Sequence, residues 1–249
     1  MLLIIKKIIP KSVFKRLQPL YHYVLSFLGA ILYNFPARSM YVIGVTGTKG
    51  KSSTTEIINS ILEKAGYKTA LSNTIRFKIG NDSVRNLYKM SMPGRFFMQN
   101  FLSRAKKAGC THVVVEMTSE GARQFRHKWI DLDAFVFTNL SPEHIESHGS
   151  YENYKKAKLS IAKLLETSIK KNKFMVINAD DENAQMFLDI DVKNKITYSL
   201  EDAKPFSTED KDTFFTFDGM QIRPKLIGLF NIYNALAAAT LAKQIDIAT

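Results

Sequence analysis

Residues 44–55 read GVTGTKGKSSTT and follow the apolar run Tyr41-Val42-Ile43. Glycines at 44, 47 and 50, a Gly50-Lys51-Ser52 step and a run of hydroxyls are what a phosphate-binding loop requires. Gly47 and Gly50 allow positive φ, so consecutive backbone N–H groups can turn inward on an anion. A helix opening at Lys51 adds the partial positive charge of its N-terminus. Lys51 can reach β- and γ-phosphates, and the Ser52 hydroxyl can ligate Mg²⁺. Thr48, Lys49 and Ser53 complete the candidate nucleotide loop. The usual spacing, G-x-x-x-x-G-K-[ST], would put its first glycine at 45, where this chain has Val45. The longer form Gly44-x-x-Gly47-x-x-Gly50-Lys51-Ser52 keeps the same physics. A glycine-rich turn joining a strand to a helix is the plainer alternative.

Four further stretches could carry chemistry. Glu116 closes the apolar run His112–Glu116, and ligands of α/β sheets gather where strands end. A carboxylate there can hold Mg²⁺ directly or through water, or can simply be a solvated strand end. Thr138-Asn139-Leu140-Ser141-Pro142-Glu143-His144-Ile145-Glu146-Ser147-His148-Gly149 follows another apolar run and carries two histidines four apart, which can be ligands or structural. Tyr151 to Leu159 is an amphipathic helix start with Lys158 among its lysines. Gly228-Leu229-Phe230-Asn231-Ile232-Tyr233-Asn234 opens an alanine-rich helix with Asn231 and Asn234 on one face.

These residues need a scaffold, and the sequence supplies one. Short β-branched or aromatic runs at 41–46, 112–116, 134–138, 174–178 and 195–199 have the look of parallel strands buried on both faces. Helical patterns fall between and beside them, at 51–65, 94–108, 151–167, 181–189 and 229–245. This alternation predicts an α/β domain, a mostly parallel sheet flanked by helices. Residues 200–225 are more polar, with a hairpin expected around Asp218-Gly219.

The 249 residues carry a net charge of +12, which invites a nucleic-acid reading. The distribution argues against it. No Asp or Glu precedes Glu56, and Lys6, Lys7, Lys11, Lys15, Arg16 and Arg38 supply half of the excess. No zinc finger, basic zipper or aromatic RNA-binding motif accompanies them, so no nucleic-acid partner is expected. The single cysteine, Cys110, excludes an internal disulfide and fits a reducing compartment. Residues 1–38 form a basic amphipathic helical segment, with Phe14, Leu17, Tyr21, Leu25, Leu28 and Leu32 at helical spacing. Its least polar stretch, Tyr21 to Phe35, is 15 residues, short of the ~20 that span a bilayer. The segment either packs on the following domain, residues 39–249, or lies in an anionic membrane interface.

In order along the chain, residues 44–53, 116–119, 138–149, 154–158, 178–181 and 228–237 resemble the motifs of the Mur ligase family, the ATP-dependent amide ligases of peptidoglycan precursor synthesis. The wording of His148-Gly149-Ser150-Tyr151 and Asn178-Ala179-Asp180-Asp181 is most similar to the branch that adds the third amino acid. The resemblance covers about residues 40–245, the family's central ATPase domain. It implies a phosphate-loop α/β fold, ATP and Mg²⁺, a cytoplasmic enzyme, a UDP-muramoyl peptide carboxylate as acceptor and an amino acid as the second substrate. It also implies roles. Lys51 and Ser52 hold phosphates and one Mg²⁺, Glu116 helps bind that metal, and His144 serves a second. Lys158 matches the lysine that many members carbamylate. Asn231 and Asn234 match residues facing adenine, and Ser91, Pro93 and Gly94 fall beside the acceptor.

The chain departs from the family pattern in places. Lys49 stands where Asn is common, Glu143 and Glu146 replace Asp, and Met92 removes a hydroxyl. The family's N-terminal domain is replaced by residues 1–38, and its C-terminal domain is expected to be missing after Thr249. That leaves two alternatives to a complete ligase: an ATP-binding module that needs a separate C-terminal domain protein, or another ligase of the superfamily, of folylpolyglutamate or cyanophycin type.

Overall fold

The computed structural model describes residues 11–143, 145–209, 213–225 and 228–245, with side chains throughout except those of 11–16 and 145. Helix α1 (Lys11–Leu32) leads through a 3-10 turn, Pro36–Ser39, into strand β1 (Tyr41–Thr46). Then follow α2 (Lys51–Lys64), β2 (Thr69–Ser72), β3 (Arg76–Ile79), β4 (Asp82–Arg85), α3 (Arg95–Lys107) and β5 (His112–Glu116). The next elements are α4 (Ser119–Arg123), β6 (Ala134–Phe137), α5 (Ile145–His148), α6 (Tyr151–Ala162), α7 (Leu164–Thr167) and β7 (Phe174–Asn178). The chain finishes with α8 (Ala184–Leu188), β8 (Asn194–Tyr198), β9 (Phe215–Phe217), β10 (Met220–Ile222) and α9 (Leu229–Gln244).

Eight strands form one sheet in the order β4-β3-β2-β5-β1-β6-β7-β8. The six from β2 to β8 are parallel, and β3 and β4 extend one edge antiparallel. The centre of the sheet is buried on both faces because successive residues of its strands there are apolar. Val42, Val113, Val115, Phe135, Phe137, Met175 and Ile177 join a core with α3, α6 and α8, where the rings of Phe137 and Phe187 stack at 3.9 Å. Their neighbours Ile43, Val45, Val114, Ala134, Val136 and Val176 face a second core under α2 and α9. The alanines of α9 bring it close to α2, whose Ile58 and Leu62 lie in the same core.

The five expected strands form, and β9 and β10 make the expected hairpin, with Asp218 and Gly219 at φ 50° and 77°. The structure departs from the sequence reading in four places. Residues 69–85 contain three strands that the pattern did not show. β2 has only four residues, and edge strand β4 is polar and exposed along its length, so neither carries the apolar run that marks a buried strand. The helix expected over 151–167 breaks at Lys163 into α6 and α7. Residues 181–183 turn before α8 instead of continuing it, because the Asp181 carboxylate accepts the backbone N–H groups of Leu140 (2.7 Å) and Asn183 (2.9 Å). Finally, α1 does pack on the domain, but not through its apolar stripe. Its buried positions are Ser26, Gly29 and Ala30, with Gly29 against Phe96 and Gln99 of α3, while Leu17, Tyr21, Leu28 and Leu32 are exposed.

Trp129 ties α1 down. Its indole N–H donates to Ser26 Oγ (3.1 Å), and its ring contacts Phe27 at 4.8 Å and Tyr23 at 5.6 Å. Two residues earlier, His127 is almost fully buried, and burial pushes its pKa from the ordinary 6.5 down to about 3. The folded protein therefore keeps a neutral ring where the unfolded chain takes up a proton. Stability is complete above the unfolded pKa and falls as pH drops from 6.5 towards 3. The melting temperature of His127→Gln is expected to change less over that interval than wild type's; parallel profiles from circular dichroism melts would exclude His127 as the acid-sensitive group.

Candidate functional site

The loop between β1 and α2 is held from one side by the chain leaving β6. Thr138 Oγ1 donates to the Lys49 carbonyl (2.9 Å), and Asn139 accepts the Lys49 N–H at Oδ1 (2.8 Å) while its amide donates to the Lys49 carbonyl (3.0 Å). Thr48 N–H donates to the Asn139 carbonyl (2.8 Å), and Thr48 Oγ1 lies 3.0 Å from the Tyr154 hydroxyl of α6. The two loop glycines serve different needs. Gly50 has φ 79°, as the sequence predicts. Gly47 does not have positive φ; it is needed because a Cβ there would overlap Thr138 Oγ1 and come within 3.1 Å of the Asn139 nitrogen. A Cβ at Gly50 would in turn overlap Asn234 Oδ1, which accepts a hydrogen bond from Thr54 (3.2 Å), so α9 is docked against the start of α2.

Charge is concentrated beneath this loop. Lys158 is 1% exposed, and its ammonium donates to the Gly47 carbonyl (2.5 Å). Burial, then repulsion from Lys51, pushes its pKa well below the ordinary lysine value, with Glu116 and Glu143 opposing. Lys51 donates to the Thr48 carbonyl (2.8 Å); burial lowers its pKa too, against the attraction of the same two carboxylates. Among the described residues no carboxylate lies within ion-pair distance of either ammonium.

Glu116 is 2% exposed at the end of β5. It accepts Ser52 Oγ–H (2.8 Å) and, from Thr74, both the backbone N–H (2.9 Å) and the hydroxyl (3.0 Å). The described residues contain no cluster of three His, Cys, Asp or Glu side chains. One carboxylate beside one hydroxyl is nevertheless a donor set that suits Mg²⁺, which completes its shell with phosphate oxygens and water. The residues present therefore fit a phosphate-bound Mg²⁺ better than a metal caged by protein alone.

Two clefts open on either side of this centre. One, of about 560 Å³, is lined by Lys49, Gly50, Ser53, Asn139, Asn178, Phe230, Asn231, Tyr233 and Asn234. Its asparagine amides and exposed Phe230 ring offer hydrogen bonds and an aromatic face to a planar base. Asn234 is buried and bonded to Asn231 (3.3 Å) and Thr54, so it holds the wall as well as lining it. Lys49 points to the same side, with its ammonium 4.0 Å from Glu143.

The second cleft, of about 360 Å³, is lined by Thr74, Ser91, Thr118, Ser119, Arg126 and His148, among others. Ser91 is buried, and its hydroxyl has no hydrogen-bond partner among the described residues. Pro93 and Gly94 instead lead into α3, where Gly94 is the N-cap. Arg126 is held by the Met92 carbonyl (2.5 Å) and Gln124 Oε1 (2.7 Å). His148 lies 3.1 Å from Ser119 Oγ. His144 lies outside the described residues.

Thr74, Arg126, Thr138 and Asn139 were not singled out as site residues from the sequence. Thr138 and Asn139 stood within a quoted motif, which was the available signal. Arg126 and Thr74 carry no local pattern and become visible only when the chain folds.

Comparison with known proteins gives the family of the chain. The model of the Mur ligase middle domain matches residues 45–242. The chain belongs to the Mur ligase family. Among Mur ligases it is 35% identical over 236 residues to UDP-N-acetylmuramyl-tripeptide synthetase of Roseiflexus sp. (strain RS-1), covering 86% of this chain and 46% of that protein. It is 34% identical over 220 residues to UDP-N-acetylmuramoyl-L-alanyl-D-glutamate--2,6-diaminopimelate ligase of Halalkalibacterium halodurans, covering 84% and 44%. A solved structure of a ligase of that second name superposes with a TM-score of 0.73 at 26% identity, over 84% of this chain and 44% of that one. The chain thus spans under half the length of these Mur ligases.

The packing of Gly47 gives a direct test of how this Mur ligase loop is shaped. Gly47→Ala must displace Thr138 or the loop, a strain of the overpacking kind that costs about 1–3 kcal/mol. Chemical denaturation without nucleotide should show a loss of that size, accompanied by weaker ATP binding in calorimetry. Unchanged values in both would mean that the loop is not fixed by this contact.

Proposed function

We propose that this chain is the ATP-binding centre of an acid–amino acid ligase of peptidoglycan precursor synthesis, activating the carboxylate of a UDP-muramoyl peptide. The observation that carries the reading is the convergence of Lys51, Ser52–Glu116 and buried Lys158 at one point between two clefts. The cleft by Asn231 and Asn234 suits the adenine nucleotide. The cleft by Ser91, Ser119 and Arg126 suits an acceptor with anionic and hydroxyl groups, since an arginine guanidinium matches a carboxylate or phosphate.

The reaction this supports is transfer of the γ-phosphoryl group to the acceptor carboxylate. One carboxylate oxygen bonds to phosphorus while the bond to the β-phosphate oxygen breaks and ADP leaves. The amine of the incoming amino acid then attacks the acyl carbon, inorganic phosphate departs, and the amine proton is lost. In such transfers the protein's contribution is positioning and electrostatic. Loop N–H groups and the α2 N-terminus hold the phosphates, and Lys51 leaves the Thr48 carbonyl to meet charge developing on the transferred group. Ser52 and Glu116 would hold Mg²⁺, which when bound neutralises phosphate charge. Arg126 and Ser91 orient the acceptor.

Lys158 cannot serve comfortably as a second ammonium beside Lys51. Its depressed pKa favours the neutral amine, whose nitrogen can attack CO₂ and release a proton, leaving a carbamate. The result would be an anion beside Lys51 in place of a repelling cation.

The test is phosphate release by the full chain with Mg-ATP, stimulated by a UDP-muramoyl dipeptide with its amino acid but not by a folate-type acid; the reverse preference would favour another ligase of the superfamily. Lys51→Ala is expected to lower that rate by about 10²–10³, the usual loss on removing one transition-state donor, and a change of less than about threefold would refute its role. Lys158→Ala should be impaired and partly recovered by added acetate or formate. Absence of recovery, with no carbamate on Lys158 in gentle mass analysis of wild type, would exclude the carbamate.

A further inference from the structure

Helix α1 carries its residues in an unusual arrangement for a helix that only packs on a domain. Its most buried positions are small: Ser26, Gly29 and Ala30, with Gly29 set against Phe96 and Gln99 of α3, and Tyr23 and Phe27 flank them against Trp129. Its outward side is large and apolar. Leu17, Leu20, Val24, Leu28 and Ile31 follow one another at three- and four-residue steps, Leu32 lies four beyond Leu28, and all are exposed, Leu20 to 60% and Leu32 to 67%. An amphipathic surface helix ordinarily points such a stripe at the core. A contiguous apolar face of this kind marks an interaction surface.

Charge identifies the partner. Residues 17–32 contain no charged side chain, whereas the preceding stretch supplies Lys6, Lys7, Lys11, Lys15 and Arg16, and no acidic residue occurs before Glu56. A second copy docked face to face would bring this segment no acid to neutralise its cations. An anionic lipid surface offers both an apolar layer and negative charge. The uncharged stretch of α1, about 24 Å long at the helical rise, is too short to cross a bilayer core of about 30 Å. Among the described residues no helix is long and apolar enough to cross.

We propose that the outward face of α1 seats this protein on membrane surfaces containing anionic lipid, with the leucines in the acyl boundary and the basic composition of the preceding sequence drawing it to negative charge. Helix α1 then lies parallel to the membrane plane, and its small-residue side stays on α3. The proposal is independent of the ligase reading, since it uses no residue of either cleft.

Flotation of the full chain with lipid vesicles tests it. Wild type should float with phosphatidylcholine–phosphatidylglycerol vesicles and be recovered at least about tenfold less with phosphatidylcholine alone, with binding weakened by salt. Val24→Glu/Leu28→Glu changes only exposed positions, so its melting temperature and ATP binding should match wild type while its recovery with anionic vesicles falls at least about tenfold. Failure of wild type to float with anionic vesicles, or equal recovery of wild type and variant, overturns the proposal. If wild type stays unbound and is instead a dimer that the variant converts to a monomer, a second copy is the occupant of this face. Equal flotation on neutral and anionic vesicles overturns the electrostatic part.

Discussion

The contact on which the site depends is the close approach of the Gly47 backbone to two elements at once. On one flank a side chain at 47 would occupy the position of Thr138 Oγ1, and on the other the Gly47 carbonyl accepts the buried Lys158 ammonium. The loop is thereby wedged between the exit of β6 and the body of α6. Thr138 and Asn139 then fix the backbone at Lys49, and Asn234 of α9 closes against Gly50. A phosphate loop gains from such rigidity because inward-pointing N–H groups bind an anion without first having to be ordered.

That wedge also creates an electrostatic imbalance. Lys158 and Lys51 are both desolvated, each repels the other, and both depend on Glu116 and Glu143 without touching them. Burying charge is costly unless it is paired. A centre of this kind attracts added negative charge, and a nucleotide's phosphates and a carbamate on Lys158 would each supply it. Glu116 meanwhile is held by three donors from Ser52 and Thr74, so its oxygens stay where a phosphate-bound cation can reach them.

Much of this was legible in the sequence, because the features that carry it are local. The central strands are apolar at consecutive positions, and the loop, Glu116, Asn231 and Asn234 sit in short motifs of fixed spacing. What was not legible depends on distant partners. β2 to β4 are short or exposed, and their pairing is with neighbours rather than with a core, so no periodic signal marks them. Gly47 was read for the positive φ it allows, whereas its constraint is steric and comes from a residue 91 positions later in the chain. Arg126 and Thr74 reach the cleft of Ser91 only through packing of loops. The stripe of α1 was read correctly as periodic, but periodicity cannot tell which side faces the protein. Ser26, Gly29 and Ala30 take the inward side because small residues let α1 lie against Phe96 and Gln99 of α3.

The placement of the two clefts follows from the topology. In a parallel sheet every strand delivers its C-terminal end to the same edge, and β1, β5 and β6 are adjacent in that sheet. The loop after β1, Glu116 after β5 and Thr138-Asn139 after β6 must therefore meet. Elements on one side, led by α9, wall the cleft of Asn231, whereas the chain after β2 and the α4 region wall the cleft of Ser91. The proposed reaction, joining a phosphoryl donor to a carboxylate, needs its two substrates to approach from different directions and share one charged centre. The strand order β2-β5-β1-β6 supplies that geometry before any particular side chain is chosen. The side chains then determine which anions are drawn to it.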